Sequence, residues 1–402
     1  MRILIHNSIL GMQHHLLTSP DTQAVQWVKD IPENVWVLGN KHHPFSINCL
    51  LETLGEEPIS LFPESHVQAF RQLCPEGING VIPWRWVLGE NEFMDRLNCA
   101  LERSRINICA LKENRYEQTY KTVRKFLLSL HRPKVDAEKV RAYIKSNTKG
   151  PTVQAALMSF MPVDGYAPKV QYNQAGTSTG RLTVKKGPRI LTLPARYRDI
   201  IKPSPGCDMV QIDLVSAEPR TALYVAGKDA DGDVYSNISK SLNLDLPRDA
   251  VKLAILSALY GAGSNSLSSI LGSTSKSKRV IKQLRSHFNV MKIESQLVSD
   301  LKTNGYITNL FGRKLMTRKD EYQKVYSHFM QSTTSDAAIC MFSDIVESLS
   351  KLDQNFKAFY IIHDALVCEV SQSLRSKLEK ASKFLQLEGV GNYETKMTSI
   401  SE

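Results

Sequence analysis

Apolar positions in the first 115 residues come in short blocks rather than at one period. Residues 2–5 and 35–38 are brief continuous runs that predict strands, whereas 24–28 and 46–54 have a spacing that predicts helix. The region therefore reads as a small α/β segment. All four tryptophans (Trp27, Trp36, Trp84, Trp86) fall inside it, and clustered tryptophans more often fill a core than stack on nucleic-acid bases. From 116 to 130 the pattern turns helical and basic, with Lys121, Arg124 and Lys125 set between Val123, Phe126, Leu127 and Leu130. Further helices are predicted at about 136–145 and 152–160, followed by a Gly-, Thr- and Ser-rich loop at 173–183. Beyond it come a strand near 208–215, several helices and a strand hairpin near 357–370. The Ser- and Lys-rich stretch 264–282 predicts a solvated surface.

Composition narrows this picture. With 402 residues and 42% hydrophobic content, the chain can bury a large core in two or more domains and is not disorder-like. Its 51 Lys and Arg exceed 40 Asp and Glu, a formal charge of +11. Such a surplus suits a polyanion, although a basic enzyme without nucleic acid carries it equally well. The seven cysteines form no CxxC pair and no metal-ligand spacing, which predicts a reduced protein without zinc. The start, MRILIHNSIL, reads as a first strand rather than a signal peptide. No apolar run approaches the roughly 20 residues that span a bilayer. A cytoplasmic protein with no membrane partner is expected.

Two apolar strands each contain one aspartate. MVQIDLV at 209–215 holds Asp213, and FYIIHDALVCEV at 359–370 holds Asp364. A buried carboxylate needs a counter-charge or a place at a strand end. Two unrelated strand-end aspartates facing water would satisfy that need. So would a pair on neighbouring strands holding two Mg²⁺ ions roughly 3.5–4 Å apart, the clamp for in-line displacement at phosphorus.

In DLPRDAVKLAILSALYG at 245–261, Asp245 is the expected N-cap, Pro247 lies in the first turn and Gly261 is the expected stop. Arg248, Lys252, Leu256 and Tyr260 recur every four residues and share one face, while Val251, Ala254, Ile255 and Leu259 point inward. A stripe of guanidinium, ammonium and phenol suits a nucleoside triphosphate. An ordinary amphipathic helix with two solvated cations has the same pattern.

Taken together, these segments resemble the family A DNA polymerases. YNQAGTSTGRLT at 172–183 resembles the family loop ending in T-x-TGRLS, and DLVSAEPR at 213–220 resembles DYSQIELR. RDAVKLAILSALYG at 248–261 resembles R-x3-K-x3-F-G-x2-YG, and IHDA at 362–365 resembles VHDE. GYITNLFGRK at 305–314 and QSTTSDA at 331–337 are weaker echoes of GYVETLLGRR and QGTAADI. The resemblance spans roughly 116–402. It implies an α+β right-hand fold: an antiparallel palm sheet, helical fingers and a helical thumb, beside the small N-terminal α/β segment. The implied divisions are 1–115 of unknown role, 116–170 thumb-like, 171–225 palm, 226–312 fingers and 313–402 palm again.

The resemblance also implies roles. Asp213 and Asp364, with Leu214, would hold two Mg²⁺ ions, for which Mn²⁺ can substitute. Arg248 and Lys252 would bind the triphosphate, with Lys252 as general acid. Leu256, Tyr260, Glu218 and Leu214 would line the nucleotide site, Tyr260 beside the templating base and Glu218 as the gate against a ribose 2′-hydroxyl. Arg181, Asn173, Gln174, Thr179, Gln331 and His363 would contact primer–template DNA. The implied partners are that duplex and dNTPs, and the implied setting is a monomer in a bacterial or phage-infected cell. Leu256 stands where the family has Phe or Tyr, Ala365 where it has Glu, and Ser216 and Pro219 where it has Gln and Leu. No Asp-x-Glu pair occurs in the first 115 residues, so no 3′→5′ exonuclease is expected. The alternatives are a single-subunit RNA polymerase and a catalytically silent DNA-binding replication protein.

Overall fold

The computed structural model describes residues 2–19, 24–40, 43–54, 57–59, 84–113, 115–146, 150–174, 176–260, 264–316, 322 and 324–400. The chain forms two compact units, Met1–Lys125 and Phe126–Glu402.

In the first unit, β1 (Ile3–Ile5) lies between antiparallel β2 (His15–Ser19) and parallel β4 (Trp36–Leu38). Both short runs are buried throughout, which is why they read as unbroken apolar stretches. Ala24–Val28, expected as helix, is instead strand β3, paired with β2 at the sheet edge. Its Val25, Trp27 and Val28 suit a pleated surface, and five residues alone are too few to sustain a helix. Helix Ile47–Leu54 forms as expected. Trp36 is buried against the rings of Phe45 and Tyr120, whereas Trp27 is half exposed. Trp84 and Trp86 lie in the short helix Trp84–Val87; their side chains are outside the described residues.

Three histidines of this unit accept backbone N–H groups through Nδ1: His6 from Ser8 at 3.2 Å, His15 from Asn7 at 2.9 Å and His43 from Phe45 at 3.2 Å. Burial lowers the pKa of all three, that of His6 to about 4, and the nearby His15 and His43 add to the effect on His6.

The second unit opens with β5 (Lys134–Val135) and the helices Ala137–Ser146 and Pro151–Met158; the second ends two residues short of the expected 160. The stretch 173–183 is a loop only at its centre, because β6 (Gln171–Asn173) and β7 (Thr183–Lys186) pair across it. After β8 (Ile201–Lys202), which pairs with β5, comes β9 (Cys207–Val215), the middle strand of the main sheet.

Helices Ala217–Val225, Val234–Ser241, Arg248–Tyr260, Ser264–Leu271, Thr274–His287 and Val290–Asn304 follow. Leu259, Leu267, Val280, Leu284, Phe288 and Val290 form part of their shared core. The Ser- and Lys-rich stretch therefore forms two amphipathic helices, with Leu267, Ser277 and Val280 inside and the lysines at the surface. The cationic helix starts at Arg248. Asp245 lies too far upstream to cap it, and the Pro247 carbonyl accepts its first backbone bond, from Val251. Gly261, the expected stop, is outside the described residues.

The chain then makes a short ladder, β10 (Ile307–Thr308) with β11 (Lys314–Leu315), and the long helix Val325–Leu352. The main sheet is completed by β12 (Lys357–Ile362), β13 (Ala365–Ser371), β14 (Phe384–Leu387) and β15 (Gly391–Ser399). Its order is β12-β13-β9-β15-β14, with every neighbour antiparallel. The long helix packs on helix Ala217–Val225 and on β12 and β14. The expected α+β architecture with an antiparallel sheet is thus the observed one.

Candidate active site

Along β9 the side chains alternate: Val210, Ile212 and Leu214 are buried, while Gln211, Asp213 and Val215 are half exposed. Asp213 faces Ala365 on β13 and Lys396 on β15. Asp364 does not lie inside a strand as expected. With His363 it forms the two-residue turn joining β12 to β13, where Ile362 pairs with Ala365. His363 adopts φ 52°, a conformation costly for a residue with a Cβ. The turn is held against β9 by the Leu214 amide, which donates to the Asp364 carbonyl at 3.0 Å. Leu214 thereby commits its N–H, and its side chain is buried.

This placement raises the energy of both carboxylates. Burial pushes the Asp364 carboxyl above the ordinary range, helped by Glu218 and Asp213 and opposed by Arg181 and His363. Burial also raises the Asp213 carboxyl against the pull of Gln211, Arg198 and Lys396. Glu218, in the first turn of helix Ala217–Val225, forms an ion pair with Arg181 at 2.8 Å. The Tyr260 hydroxyl is buried, and burial followed by the Glu218 charge pushes its pKa far up.

Arg181, Glu218, Gln331, His363 and Asp364 line one cavity, joined by apolar Leu182, Leu191 and Ile361. Asn173 is half buried, while Gln174 and Thr179 are buried within the loop. The Gln174 carbonyl accepts from Arg313 at 3.3 Å. Arg248, Lys252, Leu256 and Tyr260 share the more open face of their helix: Arg248 and Lys252 are exposed, Leu256 and Tyr260 half buried.

The sequence did not reveal several supporting residues. Arg313 forms a bidentate pair with buried Asp336 at 2.9 and 2.7 Å, and Asn309 donates to the same carboxylate at 2.7 Å. A Cβ on Gly180, where φ is +76°, would lie 2.6 Å from the Arg313 Cζ. The TGRL loop, the NLFGR turn and the long helix are therefore locked together. Arg248 forms an ion pair with Asp233 at 3.1 Å and sits 5.0 Å from the centre of the Tyr235 ring. Asp233, which caps helix Val234–Ser241 and accepts from the Tyr235 amide, could have been noticed as an N-cap. Nothing along the chain pairs Arg313 with Asp336.

The family model for DNA polymerase family A matches residues 101–388, a span that includes β9, the cationic helix and the His363–Asp364 turn. The chain belongs to the family A DNA polymerases. It is accordingly a DNA-directed DNA polymerase. No curated protein sequence matches this polymerase. Among solved structures, the polymerase domain of Pol1 from M. smegmatis, in complex with DNA primer-template and dNTP, is similar at TM-score 0.53 and 14% identity. The likeness covers 97% of this chain and 93% of that one. Among the described residues no helix of this polymerase is long and apolar enough to cross a membrane.

Proposed function

We propose that this polymerase extends a primer 3′-end with dNTPs on a DNA template, and that Asp213 and Asp364 hold two divalent cations, Mg²⁺ by preference and Mn²⁺ as a substitute. The observation that carries the reading is the union of these two carboxylates at the junction of β9 and the β12–β13 turn. Each is half buried and lifted by desolvation, so a hard dication would relieve both. Among the described residues no group of three or more His, Cys, Asp or Glu side chains forms a ready cage. That suits Mg²⁺, which usually takes one or two carboxylates and completes its sphere with substrate phosphates and water. When bound, such ions lower the pKa of an attacking hydroxyl and offset charge on the phosphoryl group.

The chain's own residues do the rest by position and charge. Arg248 leaves Asp233 and grips the triphosphate, while Lys252, one turn on, neutralises and protonates the departing pyrophosphate. The Glu218 side chain, fixed by Arg181, fills the space of a ribose 2′-hydroxyl. Tyr260 stands beside the templating base, and Leu256 lies between it and Lys252. Arg181, Gln331 and His363 line the cavity where the primer end would enter, with Asn173, Gln174 and Thr179 supporting the adjoining loop. The bound DNA and dNTP of the M. smegmatis enzyme agree with this choice of partners.

The proposal extends to a monomeric, cytoplasmic enzyme of phage-like type. It also holds that no proofreading nuclease resides in residues 1–115, where no Asp-x-Glu pair occurs. The divisions into thumb-like 116–170, palm 171–225 and 313–402, and fingers 226–312 belong to the same reading.

Extension of a labelled primer on a DNA template tests it. Templated growth with dNTPs and Mg²⁺, lost in Asp364→Ala and Asp213→Ala, is expected. Growth in either variant, or equal growth with NTPs, would overturn it.

A further inference from the structure

Asp213 is not left to find its own orientation. Gln211, two residues earlier on β9, lies on the same half-exposed face. Its Nε2 donates to both Asp213 oxygens at 2.8 Å. Its Oε1 accepts from Nη1 of Arg198 at 3.0 Å. Arg198 belongs to the 3₁₀ turn Ala195–Ile200 just before β8; it is half buried, and its Nε has no partner among the described residues.

We propose that Arg198 and Gln211 are positioning residues for Asp213, a cation–amide–carboxylate relay that sets its plane for a divalent cation. This inference rests on the metal-binding reading of Asp213 given above. The geometry supports the relay in three ways. The terminal torsion of an Asp side chain is broad, so a donor shared between both oxygens removes freedom that the carboxylate would otherwise keep. Arg198 fixes which end of the amide faces Asp213, because a flipped amide would set oxygen against carboxylate and NH₂ against guanidinium. The amide spacer also keeps the guanidinium from pairing directly with Asp213. A direct charge–charge pair would compete with a metal for the same oxygens, whereas a neutral donor can share them.

The test is Mn²⁺ titration of the full chain, with free Mn²⁺ followed by electron paramagnetic resonance, alongside primer-extension kinetics. Gln211→Met keeps the side-chain length but not the donor, and should weaken Mn²⁺ binding by about tenfold. It should lower kcat while leaving the dNTP KM close to its wild-type value. Arg198→Ala should act in the same sense, and its effect should vanish in the Gln211→Met background. Gln211→Asn, whose amide is one methylene too short, should match Gln211→Met and serves if the latter does not fold. Wild-type Mn²⁺ affinity in Gln211→Met and Gln211→Asn, with binding lost in Asp213→Ala, would overturn the relay alone. An undiminished Arg198→Ala effect in the Gln211→Met background would also overturn it. Unchanged Mn²⁺ binding in Asp213→Ala would overturn the metal reading itself.

Discussion

The Leu214 amide donates to the Asp364 carbonyl at 3.0 Å, and Asp213, next to Leu214, faces Ala365, next to Asp364. One backbone bond and one register pair thus bring together two carboxylates that lie 151 positions apart in sequence (364 − 213). Neither has a local reason to be near the other. Their proximity follows from the antiparallel pairing of β9 with β13.

Charge in this place opposes folding. Burial lifts both carboxyls above their ordinary 3.8, so the folded chain keeps their protons to a higher pH than the unfolded one. The stability they contribute is present below 3.8 and declines as pH rises through the raised native values. Asp364→Asn should therefore raise Tm relative to wild type, by an amount that grows as pH climbs above 3.8 in metal-free buffer, and abolish the gain in Tm caused by Mg²⁺. Extension should fall by more than about 10²-fold. A Mg²⁺ gain equal to that of wild type would count against the metal site.

Arg313 and Asp336 are both buried, and removing one partner takes from the other its two-bond ion pair. Arg313→Ala should cost about 3–5 kcal/mol in urea unfolding. Arg313→Lys should recover little of that, because an ammonium cannot make both bonds. Gly180→Ala should be destabilised as well, since its Cβ would meet the guanidinium and φ is +76°. Full recovery by lysine would show that the pair acts through charge alone.

Arg248 and Asp233 are exposed, so their pairing adds little stability. If Arg248 grips the triphosphate as proposed, the carboxylate competes with it for the guanidinium. Asp233→Asn, which can still cap its helix, should lower the dNTP KM severalfold with Tm almost unchanged, whereas Arg248→Ala should raise KM. Steady-state kinetics on one primer–template would show whether the two move in opposite directions.

Glu218 projects into the cavity that contains Asp364, fixed by Arg181 at 2.8 Å. Glu218→Ala should admit ribonucleotides and raise the NTP/dNTP incorporation ratio by about tenfold or more, since about 1.4 kcal/mol of lost exclusion suffices. Competition between matched dNTP and NTP measures it, and an unchanged ratio would remove Glu218 from sugar selection.

His6, His15 and His43 accept backbone protons only when neutral. The folded pKa of His6, about 4, lies below the unfolded 6.5. Stability is thus fully present above 6.5 and is lost as pH falls from there towards 4. In Tm scans from pH 7 to 4, His6→Gln should therefore gain on wild type as pH falls. Identical scans for the two proteins would mean that His6 does not couple to folding.

The sequence alone determined what can be decided locally. The stripe Arg248, Lys252, Leu256 and Tyr260 is a consequence of helical period, and the buried face opposite formed as expected. The strand around Asp213 likewise followed from its apolar run, and the ordered motifs pointed to the family. Where local preference is weak, the tertiary structure decided. Ala24–Val28 became a strand because β2 offered a partner. Asp364 moved from a strand to a turn because Ile362 pairs with Ala365. The Arg313–Asp336 lock, the Arg248–Asp233 pair and the Arg198–Gln211–Asp213 relay join residues through space. Side-chain bonds of that kind depend on where whole elements pack, and neither period nor composition records it.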